Sequence, residues 1–134
     1  MAADGLITIK SGFGPRETMS RLEAEVKAKG LTAFAHVDHA AGASAVGLQL
    51  RPTDLLIFGN ARGGTPLMQS VQTIGIDLPL KALVWQDENG TTWLSYNDPT
   101  FLAHRHGLRE QAKAAGAAIA AALNAIATKA TTPQ

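Results

Sequence analysis

The sequence predicts an α+β fold, a mixed or mainly antiparallel sheet of about five strands with helices packed on it. Three observations carry this prediction. Apolar segments of strand length interleave with segments of helical spacing. Two of the strands are joined through DENG, whose closing Asn-Gly is a hairpin signal. No repeat or linker divides the 134 residues, a length that fits one domain and buries roughly 65–70% of the surface an unfolded chain exposes.

LITIK, residues 6–10, alternates apolar and polar and reads as the first strand. A helix follows, with Pro15 at its first position, Glu17 in its first turn, an apolar face of Met19, Leu22 and Val26, and Gly30 as its stop. Residues 31–38 form the second strand, and AAGASAVGL after it reads as a short helix packed through small residues. DLLIFGN, residues 54–60, is a near-continuous apolar run that predicts a strand buried on both faces. The next helix is expected at Thr65, as N-cap with Pro66 behind it. Residues 80–86 and 91–96 are the hairpin strands. Asp98, Pro99 and Gly107 then cap, open and stop a helix over NDPTFLAHRHGL. A last helix over about 108–127 shows Leu108, Ala112, Ala115, Ile119, Ala122 and Ile126 on one face. The domain is expected to span 1–127, and TKATTPQ, 128–134, to be a flexible tail.

Composition excludes several function classes. There is no cysteine, so disulfides, thiolate metal sites and thiol nucleophiles are absent. A formal net charge of +1, with no basic run, argues against a nucleic-acid partner. MAADGLITIK lacks the pattern of a signal peptide, which predicts a cytoplasmic protein. The longest uncharged apolar run, AAGAAIAAAL, extends about 15 Å as a helix, half a bilayer's core, so no membrane span is expected.

Four stretches carry a resemblance: FAHVDHAAGA, LRPTDLLIFGNARGGTPLM, IDLPLKALVWQDENGTTWLSYNDP and LAHRHGL. Together they cover most of residues 31–108, and over them the chain resembles the domain-of-unknown-function family 302. The resemblance implies a compact α+β domain similar to TATA-binding-protein-like folds, in single copy, from small bacterial proteins often suspected to dimerise. It implies no activity. The alanine-rich segment after Arg109 lies outside it.

Two stretches offer candidate sites. In FAHVDHAAGA, alternation puts Phe34, His36 and Asp38 on one face, with His39 at the strand-to-helix junction. Asp38 is placed to cap the following helix through the amides of Ala40 or Ala41. The functional alternative makes His36, Asp38 and His39 an acid–base site, or His36, His39 and His104 metal ligands. No zinc spacing supports the metal reading, and no cofactor is predicted. The helix dipole accounts for His104 and His106 without a ligand. GNARGGTP is the second stretch: Gly59, Asn60, Arg62, Gly63, Gly64 and Thr65 join a strand end, a glycine turn, an arginine and a helix start, a candidate loop for a small anionic ligand. It lacks the Gly-Lys-Ser/Thr of a phosphate-binding P-loop, and Gly63 and Gly64 can instead supply positive φ. Phe34 and Trp85 are candidate walls of a small-ligand groove shared with His36. The polar-free AAGAAIAAAL suggests a close-packing helix face and a homodimer.

The leading expectation is a dimeric, noncatalytic module binding a small molecule or a protein near 34–39 and 59–66. Its competitors are a metal-assisted or acid–base enzyme using His36, Asp38 and His39, and a purely structural assembly module.

Overall fold

Strands β1 (Leu6–Lys10), β2 (Thr32–Asp38), β3 (Thr53–Gly59), β4 (Leu80–Gln86) and β5 (Thr92–Asn97) form one sheet in the order β1-β5-β4-β3-β2. Every neighbouring pair is antiparallel, so the sheet has no parallel component. The computed structural model describes residues 3–133; residues 1–2 and Gln134, the end of the expected tail, lie outside the described residues. β2 to β5 form a meander. α1 (Pro15–Ala28) crosses from β1 at one edge to β2 at the other.

Helix α1 keeps the predicted punctuation: Pro15 opens it, Met19, Leu22 and Val26 are buried, and Gly30 takes φ 75° just beyond it. Positive φ costs glycine nothing, which is why the helix stops there. α4 (Pro99–His106) follows the same logic, with Asp98 accepting from the Thr100 amide and Gly107 left-handed at φ 65°. The core lies on one side of the sheet. Leu56 and Phe58 of β3, Ala82 and Val84 of β4, and Leu94 and Tyr96 of β5 meet α1 and α5 (Lys113–Thr131). Each of these larger side chains contributes about 1.5–3 kcal/mol by leaving water.

Three expectations need correction. β3 is not buried on both faces: Leu56 and Phe58 are covered by the α1 and α5 side of the core, while Leu55 and Ile57, pointing the other way, are only half-buried. The third helix, α3 (Ala61–Ser70), starts four residues before Thr65. Asn60 is extended and its side chain accepts from the Gly63 amide at 2.7 Å, so Asn60 is the cap, and Pro66 lies inside the helix. Accordingly, among the glycines of GNARGGTP only Gly59 has positive φ. Finally, α5 runs on to Thr131, past the end expected at 127. Ala130 and Thr131 are buried, and Thr131 O accepts from the Gly12 amide at 2.8 Å, which docks this end beside the β1–α1 turn.

The segment Glu110–Thr131 is long and apolar enough to cross a membrane by length and composition, a possibility that the ten-residue run alone concealed. In this fold Leu123, Ile126, Ala127 and Ala130 of that segment belong to the core.

Candidate functional site

The stretch from β2 into α2 (His39–Ala45) is a capped strand end. Asp38 Oδ1 accepts from the Ala41 amide at 2.8 Å, satisfying an amide that the first helical turn leaves free. A bulge between Ala33 and Ala35 interrupts the alternation, so Phe34 leaves the file that His36 and Asp38 keep. His36 pairs across the sheet with Leu56, a core residue, and so lies on the helix side. There its ring sits 3.6 Å from both Glu23 of α1 and Asp54 of β3. Asp54 stands opposite Asp38 in the register. Partial burial pushes its carboxyl above the ordinary range, the Asp38 charge adds to this, and His36 opposes it. His39 and His104 are exposed. Among the described residues, no three His, Asp or Glu side chains gather so as to hold a metal ion, so His36, His39 and His104 are not brought together as ligands.

The stretch from β3 into α3 opens instead on a cavity of about 610 Å³. Gly59, Asn60, Arg62, Gly63 and Gly64 line it, as does Phe34 from the bulge. Thr65, also expected in the loop, is an exposed helical residue that does not line the cavity. The opposite wall is Ala115, Ala118, Ile119 and Ala122 of α5, and Gly75, Leu78 and Pro79 belong to the segment leading into β4. Apart from Arg62 and Asn60, every lining residue is apolar or glycine. The space exists because side chains are missing: four alanines and four glycines stand where larger residues would fill it. Gly63 has a second constraint, since a Cβ there would lie 3.1 Å from Asn60 Oδ1 and press on the cap. The cap itself consumes two of the expected anion donors, the Gly63 amide bonding the Asn60 side chain and the Gly64 amide its carbonyl. What remains for a negative group is the Arg62 guanidinium and the first amides of α3.

Trp85 takes no part in this cavity. Its neighbour Val84 is buried against the helices, so Trp85 lies on the uncovered face of the sheet, opposite to His36. The expected groove of Phe34, His36 and Trp85 therefore does not form. Trp85 stacks on Trp93 with centroids 6.2 Å apart and donates to Ser95 Oγ at 2.9 Å. Trp93 donates to Asp87 Oδ2, and this bond, with the Thr91 and Asn89 amides, holds the Asp87 carboxyl below its usual range. The indole bond thereby ties the hairpin turn to the sheet face.

One constellation escaped the sequence reading. His106, read only as a helix-end histidine, places Nε2 2.6 Å from Asp77 Oδ2 and Nδ1 3.2 Å from Thr73 Oγ1, and Arg105 grips the same carboxylate at 2.9 Å. Thr73 and Asp77 belong to a 3₁₀ segment, Gln72–Asp77, so the set pins this segment to α4. Asp54, Glu23 and the cavity residues Met68, Gly75 and Leu78 were missed as well. The available signals were a carboxylate on the buried-side parity of β3 and a glycine within an aperiodic apolar stretch.

The curated relatives share this sequence over part of their length. The chain is 51% identical over 104 residues to a protein named fluoride-specific ion channel FluC 1 from Brucella suis biovar 1 (strain 1330), a match covering 78% of this chain and 41% of that protein. The same identity holds to proteins named FluC 1 from Brucella abortus biovar 1 (strain 9-941) and FluC 2 from Brucella melitensis biotype 1 (strain ATCC 23456 / CCUG 17765 / NCTC 10094 / 16M), each covered over 38% of its length. The chain thus spans about two fifths of the curated relatives it matches. A crystal structure of an uncharacterized conserved protein DUF302 from Bacillus stearothermophilus superposes with a TM-score of 0.85 at 26% identity, over 96% of this chain and 99% of that one. The model of the domain of unknown function DUF302 matches residues 7–126. With that match across nearly its whole length and the same fold in a solved member, the chain belongs to the DUF302 family.

Proposed function

We propose that this chain is a noncatalytic binding module that takes a small, mainly apolar molecule into the cavity between α3, α5 and the segment before β4. The observation that carries the reading is the cavity of about 610 Å³ with its almost unbroken apolar lining. Small-molecule sites are about 300–1,000 Å³, mostly apolar, with a few polar groups that orient the ligand. Asn60 and Arg62 are those groups here. The enzyme reading finds less support. Asp38 is engaged as a cap, and His36 and Asp54 do not line the cavity. Thr73, His106 and Asp77 have the order of a nucleophile, base and orienter but likewise do not line it.

The names of the longer relatives point to fluoride. A bare, strongly hydrated anion needs a tight cage of donors, and a wide apolar cavity with one arginine does not supply one. The reading therefore assigns this module to a different ligand in a cytoplasmic setting, and its recurrence within longer chains fits an accessory role. Self-association is the second part of the proposal. The uncovered sheet face carries Leu55, Ile57, Leu83, Trp85 and Trp93, and an apolar patch of this kind is a usual contact surface.

Native mass spectrometry on gently purified protein, repeated under denaturing conditions, tests both parts. A dimer carrying a discrete organic mass that is lost on denaturation is expected, with Leu83→Lys giving monomer that still carries the mass. Monomeric wild-type protein would end the dimer proposal. A Thr73→Ala-sensitive hydrolytic activity would replace the binding module with the enzyme.

A further inference from the structure

We infer that the molecule held in this cavity is an amphipathic monoanion, a hydrocarbon tail ending in a carboxylate, with the carboxylate on Arg62. The inference rests on the reading of the cavity as a binding site and specifies its chemistry. The α5 wall of Ala115, Ala118, Ile119 and Ala122 presents methyl groups and a hydrocarbon side chain. It offers dispersion contacts along its length but no side-chain donor or acceptor, so the part of a ligand lying on it must be hydrocarbon, because an unpaired polar group there would be stripped of water without compensation. Arg62 is the single charged residue of the lining, and no lining residue is acidic. Arg62 is exposed, which marks the solvent side of the cavity, and it makes no ion pair among the described residues. An unpaired guanidinium at the rim of an apolar cavity matches a planar carboxylate, which it can grip through two parallel hydrogen bonds. A neutral lipid would leave that charge without a role, and a cationic amphiphile would be repelled by it.

Three probes with one tail length separate the possibilities: octanoate, 1-octanol and octyltrimethylammonium, each titrated into ¹⁵N-labelled protein and followed by calorimetry. Octanoate is expected to bind and to shift the amides of Gly64 and Ala118, with 1-octanol about tenfold weaker, the size of one charge-assisted interaction, and octyltrimethylammonium inert. Arg62→Gln, at an exposed position where folding is not at stake, is expected to remove most of the preference for octanoate while leaving 1-octanol unchanged. If 1-octanol binds as tightly as octanoate, or Arg62→Gln leaves octanoate binding intact, the headgroup assignment is overturned and the cavity stands as a purely apolar site. If none of the three probes moves a cavity amide, the binding-module reading falls together with it.

Discussion

The chain leaves a strand for a helix in nearly the same way twice, at Asp38 and at Asn60. In both places an extended Asx residue accepts from the amide three positions on, at 2.8 Å to Ala41 and 2.7 Å to Gly63. The surroundings differ. The first junction has the reactive side chains, two histidines and two facing carboxylates, yet it leads into a seven-residue helix with no buried residue. The second has glycine, alanine and one arginine, and opens on the cavity. Chemical side chains alone are a poor guide to a site; an almost wholly apolar lining sets the second junction apart. The cavity arose where small residues from three separate segments converged.

The sharpest way to break this comparison is to fill one side and disarm the other. Ala122→Phe places a ring in the cavity and should abolish octanoate binding in the amide titration, while His36→Ala leaves it unchanged; the reverse result would return the site to the first junction. Next come the two caps. Asp38→Ala and Asn60→Ala should each cost about 1 kcal/mol in urea unfolding, but only the second should also weaken binding, because only that cap shapes a wall of the proposed site. Gly64→Ala is smaller and of opposite sign. Gly64 is helical, and a Cβ there would meet Leu78 at an ordinary 3.6 Å. The substitution should therefore stabilise the fold by about 0.5–1 kcal/mol while weakening binding. Loss of stability would show that α3 cannot take the methyl group.

The smallest effect concerns pH. The folded state holds the Asp54 proton more tightly than the unfolded state, whose value is near 3.8. Stability from this group is thus full below 3.8 and declines as pH rises through the raised folded value. Asp54→Asn should flatten that decline and be neutral or slightly stabilising at pH 7, as read from urea midpoints between pH 3 and 7. A marked loss of stability at pH 7 would instead mean that the attraction between His36 and Asp54 outweighs the cost of burying the carboxylate.

Much of the fold was legible because its signals are local. Pro15 with Gly30, and Asp98 with Gly107, each set a helix start and stop through their own backbone chemistry. Asp38 was likewise readable as a cap from its position alone. Thr65 with Pro66 imitated the same signal and lost to Asn60, because the Asn60 side chain reaches the Gly63 amide and the helix tolerates Pro66 in its second turn. The misplacement of Phe34 had another origin: a single bulge changes every parity argument made across it. The cavity could not be found locally. Its lining comes from β2, α3, the segment before β4, and α5, and only the fold brings them together. The glycines of α3 and the alanines of α5 were both noted, but as a loop and a contact face, since nothing in either segment shows that they confront each other. Asp54 opposite Asp38 depends in the same way on a strand register set by the long connection between β2 and β3.

The position of β1 also orders events during synthesis. β1 pairs only with β5, Leu6 standing opposite Asn97, and α1 packs on α5. At about 5–20 residues per second, the first strand waits roughly 5–20 seconds for its partner to be made. During that interval only β2, β3 and β4 of the meander can assemble on the ribosome, their β4 edge staying open, and Ile7 and Ile9 remain uncovered until the last third of the chain appears. A nascent chain stalled before residue 92 therefore exposes an apolar N-terminal segment with nowhere to dock, the state most in need of a chaperone.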